Sequence, residues 1–322
     1  MAALKCEISV VKECCAQLGE GPHWDESSQR LIWVDIFGRS VHLLDPVTGK
    51  DEKYNFDGAV GAAVPRRKGG SLVVAAERDF IFLDLETGKQ EIVASVDGDK
   101  PGNRFNDGKC DPAGRFWAGT MGPEPIPTQV VPNQGSLVSI SHDDMSRELF
   151  IWKTEHEKML LTEVITSEPY QFKAGTKERG STWTEIAERL AGCGLKYSLN
   201  CDHTVQSHVD KISISNGIAW DTDKKIFYHA DTAERKIDAF DYDKTSGALF
   251  NRRTVINVDP ALGIVRYDPD TGKSQSYVDL PVRITTSARL TDEEKQEQPL
   301  AGSIFRIRNL GTNGLPPVAF NG

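Results

Sequence analysis

An all-β fold built as a propeller is what this sequence predicts, and two recurring phrases carry the expectation. The first joins an acidic turn to a basic residue and then to an alternating apolar strand. It occurs as HWDESSQRLIWVDI from His23, CDPAGRFWAGT from Cys110 and AWDTDKKIFYHAD from Ala219. The second follows such strands: LLDPVTGK at Leu43, FLDLETGK at Phe82, DYDKTSG at Asp241 and RYDPDTGK at Arg266. Aspartate followed by Thr-Gly or Ser-Gly suits a hairpin whose glycine takes a positive φ. Strand and turn recurring every ~40–50 residues is the signature of propeller blades, each a four-stranded sheet. A β-sandwich would supply similar strands but does not normally repeat one phrase at blade length.

One segment breaks the rhythm. In LFIWKTEHEKMLLTEVI the apolar residues Trp152, Leu160, Leu161 and Val164 fall at helical spacing, and in GSTWTEIAERLAG so do Trp183, Ile186 and Leu190, behind Ser181. A basic loop with Lys173, Lys177 and Arg179 joins them. The expected organisation is a propeller over residues 1–143, a small helical insertion over 144–201, and the rest of the propeller over 202–322.

Composition bounds the function. The chain has 322 residues, 39% hydrophobic and 26% charged, enough for a large core. A formal net charge of −9 argues against a surface that coats nucleic acid. The N-terminus MAALKCEISVVKECC has no apolar leader, and no run of about 18 apolar residues occurs. The expectation is a soluble, cytoplasmic monomer with no membrane partner. Cys6, Cys14, Cys15, Cys110, Cys193 and Cys201 form no C-x-x-C pair, so free thiols are expected.

Four places carry candidate chemistry. Glu20 lies in LGEGPHWDE, where Gly-Glu-Gly-Pro fits neither a helix interior nor an ordinary mid-strand. Arg104, Asn106 and Asp107 share NRFNDGK, Glu124 sits in GTMGPEP, and Asn216 precedes Gly217 in SISNGIAW. Pre-strand turns of a propeller cluster at one end of its channel, where small molecules bind. Carboxylate and amide oxygens suit Ca²⁺, Mg²⁺ or Mn²⁺ and can hold Zn²⁺. Arginine and asparagine hydrogen-bond hydroxylated or anionic substrates. Each phrase alone is equally at home in a structural turn.

Taken together, LGEGPHWDE, NRFNDGKCDPAGRFWAGTM, ISNGIAWDTDKKIFYHADT and IDAFDYDKTSGALFNRR resemble the gluconolactonase family of the regucalcin type. The resemblance implies six blades, one divalent metal at the channel mouth, calcium binding and hydrolysis of sugar lactones. It implies Glu20 and Asn216 as metal ligands, Arg104, Asn106 and Glu124 as substrate contacts, and Asp107 as support in the same turn. The insertion separately resembles the first two helices of a Myb/SANT-like DNA-binding domain. Its third, groove-reading helix is not visible, so DNA binding is not expected.

Two departures bear on activity. After FNRRTVINVD the family continues with a Pro-Asp-Gly-Met turn whose aspartate is the third metal ligand and general base. Here NVDPALGIVRYDPDTGK passes straight to the following strand, and Asp259 is the acid nearest the gap. A second gap follows LPVRITTSARL. The expectation is incomplete last blades, no assignable catalytic base, and a choice between a lactonase and a calcium-binding or interaction propeller without catalysis.

Overall fold

The computed structural model describes residues 7–126, 129–142, 147–153, 159–165, 195–198, 203–257, 264–268, 273–278, 296, 298–308 and 317–322. Strand β1 (Glu7–Lys12) pairs antiparallel with the last strand, β23 (Ile304–Arg308). Four four-stranded sheets follow in chain order. The first holds β2 (Gly19–Asp25), β3 (Arg30–Asp35), β4 (Ser40–Leu44) and β5 (Asp51–Asn55). The second holds β6 (Val60–Pro65), β7 (Ser71–Ala76), β8 (Asp79–Asp84) and β9 (Gln90–Ser95). The third joins β10 (Arg104–Cys110), β11 (Phe116–Met121) and β12 (Gly135–His142) to β16 (His203–Ile212). The polypeptide between its last two members carries β13 (Arg147–Lys153), β14 (Met159–Ile165) and β15 (Leu195–Ser198). The fourth holds β17 (Ser215–Asp221), β18 (Ile226–Asp231), β19 (Lys236–Tyr242) and β20 (Leu249–Asn257). Beyond it, β21 (Ile264–Asp268) and β22 (Lys273–Val278) form a two-stranded hairpin.

The two phrases are turns of these sheets: the first and fourth sheets carry both, the second sheet the second phrase and the third sheet the first. The first phrase turns strand one into strand two: Asp25 accepts bonds from Ser27 and Ser28, Asp111 from the backbone N–H of Ala113 and Arg115, and Asp221 from that of Lys224. The second turns strand three into strand four. Asp45 accepts the N–H of Val47 and Thr48, and Gly49 takes φ 74°. Asp84 with Gly88 and Asp243 with Gly247 repeat this arrangement. Asp45, Asp84, Asp111 and Asp243 each satisfy two backbone donors, and Asp25 and Asp221 one, that the reversal would otherwise leave unpaired, which is why the chain re-uses the phrases.

The sheets pack face to face through apolar layers. Val34, Val41, Val60, Leu72 and Val74 fill the space between the first and second. Phe80, Phe105 and Phe116 sit in the layer between the second and third, with Phe80 and Phe105 centroids 4.8 Å apart. Trp117, Trp220, Phe227 and Tyr242 fill that between the third and fourth. Each fully buried aromatic contributes on the order of 2–3 kcal/mol, so these layers set the order of the sheets.

The chain divides into two compact units, one of 1–141 with 205–321 and one centred on 142–204. The second unit holds a three-stranded sheet ordered β14-β13-β15. This corrects the helix expected in LFIWKTEHEKMLLTEVI. Trp152 and Leu160, spaced as one helical face, are cross-strand partners of an antiparallel pair. Apolar runs this short satisfy both periods, and strand pairing decides between them. The second expected helix, around Ser181–Leu190, lies outside the described residues.

Candidate functional site

Each innermost strand carries the same irregularity. The register shifts between Glu20 and His23 in β2, Val60 and Ala62 in β6, Phe105 and Gly108 in β10, and Asn216 and Ile218 in β17. Four bulges at equivalent positions re-aim one or two residues per strand away from the pleat. Glu20, Asn106, Asp107 and Asn216 are the residues at three of them. Glu20 is therefore the second residue of a strand rather than part of a free turn, and Gly21 beside it takes φ 56°. That angle is what the glycine is for.

Close approach of these strands needs a second glycine. A Cβ on Gly61 would lie 2.5 Å from the carbonyl oxygen of Asn106, so β6 accepts the β10 bulge only with no side chain there. Strand β10 in turn contacts β17 and β2. The Asn106 Nδ2 donates to the Ser215 carbonyl at 2.7 Å, tying its bulge to the turn that bears Asn216. Gly61 belongs to neither recurring phrase, yet a glycine inside the apolar run AVGAAV is itself a signal of bulge or close backbone approach.

The electrostatics of the bulges are unusual. Glu20 is exposed by surface area, yet enough protein crowds its carboxyl that desolvation, with Asp107 opposing it, pushes its pKa up to about 7. Burial also raises Asp107, which accepts the Gly108 N–H at 2.7 Å and is partly offset by Lys109. Desolvation is the larger cause at both carboxyls and shifts each toward its protonated form in the cation-free protein. Asn216 is held by donation from its Nδ2 to Thr232 Oγ1 at 3.0 Å, while its Oδ1 accepts the Gly217 N–H and retains a second lone pair. Among the described residues no group of three or more His, Cys, Asp or Glu is arranged as a metal cage. The donor set fits a hard cation that keeps several waters.

Arg104 and Glu124 meet at one edge. Arg104 Nη2 lies 3.9 Å from Glu124 Oε2, and its Nη1 donates to Asn106 Oδ1 at 3.3 Å. Its guanidinium stands 5.2 Å from the centroid of the Phe37 ring, which limits its swing. The structure thus joins Arg104 to Asn106 and Glu124, and Glu20 electrostatically to Asp107. Asp259 lies outside the described residues. Phe37, Lys109 and Thr232 are further participants; Lys109 and Thr232 close the NRFNDGK and ISNGIAWDTDKKIFYHADT phrases without a role expected of them, and no phrase marks Phe37.

A Ser-His-Asp arrangement also occurs, in β4 and β5: Ser40 Oγ lies 2.9 Å from His42 Nε2, and His42 Nδ1 lies 3.0 Å from Asp51. It resembles a nucleophilic triad, but Ser40 has no exposed surface and His42 is stacked on Trp33 with centroids 4.0 Å apart. Ser139–His208 and Ser215–His229 repeat the pairing in other sheets. These pairs satisfy buried polar groups and meet no substrate.

Residues 18–155 and 170–270 match the family model described as the SMP-30/Gluconolactonase/LRE-like region. The chain belongs to this family. Members similar to it include regucalcin of Xenopus laevis, 32% identical over 361 aligned positions covering 100% of both chains. Among solved structures, a luciferin-regenerating enzyme superposes with TM-score 0.68 at 21% identity, covering 98% of this chain and 99% of that one. A calcium-binding protein, regucalcin from Agrobacterium tumefaciens, does so with TM-score 0.67 at 19% identity and 96% coverage of each. The likeness to these structures makes the fold a β-propeller. The family match also runs through residues 170–201, and strands occupy Arg147–Lys153 and Met159–Ile165, so the Myb/SANT-like resemblance of that segment finds no support.

Proposed function

We propose that this chain is a six-bladed propeller that binds one divalent cation, calcium among them, at the ring of bulges and hydrolyses sugar lactones there. The observation that carries the reading is the set of equivalent bulges that presents Glu20, Asn106, Asp107 and Asn216, with the Asn106 bulge tied to the Asn216 strand through the Ser215 carbonyl. Glu20 and Asn216 would hold the cation through oxygen, with Zn²⁺, Ca²⁺, Mn²⁺ and Mg²⁺ all compatible. When bound, it supplies Lewis acidity and a water of lowered pKa. Arg104 and Asn106, pre-set by their contacts with Phe37, Glu124 and the Ser215 carbonyl, orient the sugar oxygens so that attack is effectively unimolecular. Asp107, a partly buried carboxyl coupled electrostatically to Glu20, is the group we assign to take the proton from the attacking water.

A second reading, cation binding without hydrolysis, is favoured by the missing Pro-Asp-Gly-Met turn and the ligand it would carry. Gluconolactone hydrolysis in Zn²⁺, Mn²⁺, Mg²⁺ or Ca²⁺, run beside Glu20→Ala, separates the two. A cation-dependent rate lost in the variant supports the lactonase. Calcium binding with no rate above the spontaneous one supports the second reading.

A further inference from the structure

Beside the bulges lies a cavity that meets the proposed lactone chemistry only at Glu20. It is bounded by β1 and β23 on one side and by β2 and β3 on the other, and its volume is about 680 Å³. Small-molecule sites fall at roughly 300–1,000 Å³. Its walls are Val11, Trp24, Leu31, Trp33 and Ile304, with the Cys14 thiol among them. None of Arg104, Asn106, Asp107, Glu124 or Asn216 lines it.

The origin of the space is visible in the two faces of the first sheet. Ile32 and Val34 face the second sheet and are sealed by a large apolar cluster. Leu31 and Trp33, on the other face, meet only a small cluster built with Ala16 and Leu44, against the two-stranded β1–β23 sheet. Two indoles and aliphatic side chains therefore enclose room that the protein's own described side chains leave open.

Charge says what belongs there. Two charged residues line the cavity, Glu20 and Arg306. Arg306 is exposed at the rim and has no ion-pair partner among the described residues. Glu20 is an acceptor that offers an anion no donor contact, and Arg306 is the basic side chain that lines the cavity, so a negative head group is directed to Arg306. The thiol of Cys14 is occupied in a bond to the Gly302 carbonyl, and burial raises its pKa, so it serves as wall rather than as nucleophile. We propose that this cavity binds an organic anion, its apolar body between Trp24, Trp33 and Leu31 and its carboxylate, sulfonate or phosphate head on Arg306. The site borders the proposed cation site at Glu20, but its ligand contacts, Trp24, Trp33, Leu31 and Arg306, are residues the lactone chemistry does not call on.

The test uses the full chain and two dyes of matched shape, anionic 8-anilino-1-naphthalenesulfonate and neutral N-phenyl-1-naphthylamine. Both are read by energy transfer from tryptophan. Saturable binding with one dye per chain is expected for each. Arg306→Ala should weaken the sulfonate dye about 10-fold or more, the range for a charge-assisted contact, and leave the neutral dye unchanged. Leu31→Trp should fill the cavity and abolish both, with the urea midpoint unchanged; if that variant fails to fold, Val11→Phe replaces it. Decanoate should displace the sulfonate dye while decanol does so far less well. Equal loss of both dyes in Arg306→Ala, no loss of the sulfonate dye there, or undiminished binding in a folded cavity-filled variant would overturn the proposal.

Discussion

Suppose the pH of a calcium titration is lowered from 8 to 6. Glu20 holds its proton up to about pH 7, because burial and Asp107 both oppose its ionised form. A cation that needs the carboxylate must displace that proton, so its apparent affinity is divided by one plus the ratio of protonated to ionised Glu20. With a pKa of about 7 that divisor is about 11 at pH 6 and about 1.1 at pH 8, so affinity should fall about 10-fold over the interval. Calorimetry in two buffers of different ionisation enthalpy should register close to one proton released per cation at pH 6 and about a tenth of one at pH 8. Glu20→Gln should bind weakly at every pH and show no slope. Asp107→Asn should move the inflection to lower pH without restoring that of a free glutamate, because burial is the larger cause. An affinity flat between pH 6 and 8, or a slope surviving in Glu20→Gln, would refute the coupling. The same shift fixes a stability trend in the cation-free protein. The folded pKa lies above the unfolded one, so the contribution present below about pH 4.5 is lost as pH rises through about 7. Added cation should restore it.

Three further outcomes follow from particular contacts. Asp111 is fully buried and binds Arg115 at 2.7 Å, Trp117 Nε1 at 3.0 Å and Tyr242 at 2.8 Å, locking the third sheet to the fourth. Asp111→Ala orphans the Trp117 indole N–H and removes the counter-charge of Arg115, and should cost about 3–5 kcal/mol in urea unfolding, where a loss under 1 kcal/mol would contradict the lock. His229 is buried with its Nδ1 unpartnered and its pKa lowered to about 4 by desolvation. Stability should therefore decline as pH falls from about 6.5 through 4, and His229→Gln should lessen that slope, a result to be read from urea midpoints across pH. Arg104→Lys keeps the charge but loses the planar fork set against Phe37 and Asn106, so lactone kcat/KM should drop about 10-fold or more while calcium affinity stays unchanged.

Much of the architecture is legible in the chain because its turns are chemical. Aspartate with Thr-Gly or Ser-Gly writes the third-to-fourth-strand reversal locally, and the Asp25, Asp111 and Asp221 turns write the first-to-second one. Glu20 stands out because Gly-Glu-Gly-Pro suits neither helix nor ordinary strand, whereas Arg104, Asn106, Asp107, Glu124 and Asn216 sit in phrases that are ordinary one by one and acquire expected roles only through the resemblance of the phrases taken together. The helix expected at Leu149–Ile165 failed for the converse reason, since a short apolar run has no local signal that separates a 3.6 period from a paired strand.

What the sequence by itself determined is the strand-and-turn grammar and the identity of the polar residues at the bulges, both matters of local stereochemistry. Only the tertiary structure decided how those residues act. The raised pKa of Glu20 comes from Asp107, far along the chain, and from burial that no local window contains. The approach of β10 to β6 depends on a missing Cβ at Gly61, and the apolar cavity beside Arg306 depends on how β1 and β23 meet the first sheet. Electrostatic coupling and packing fall off over a few ångströms of space, not of sequence, so only the folded chain brings them into being.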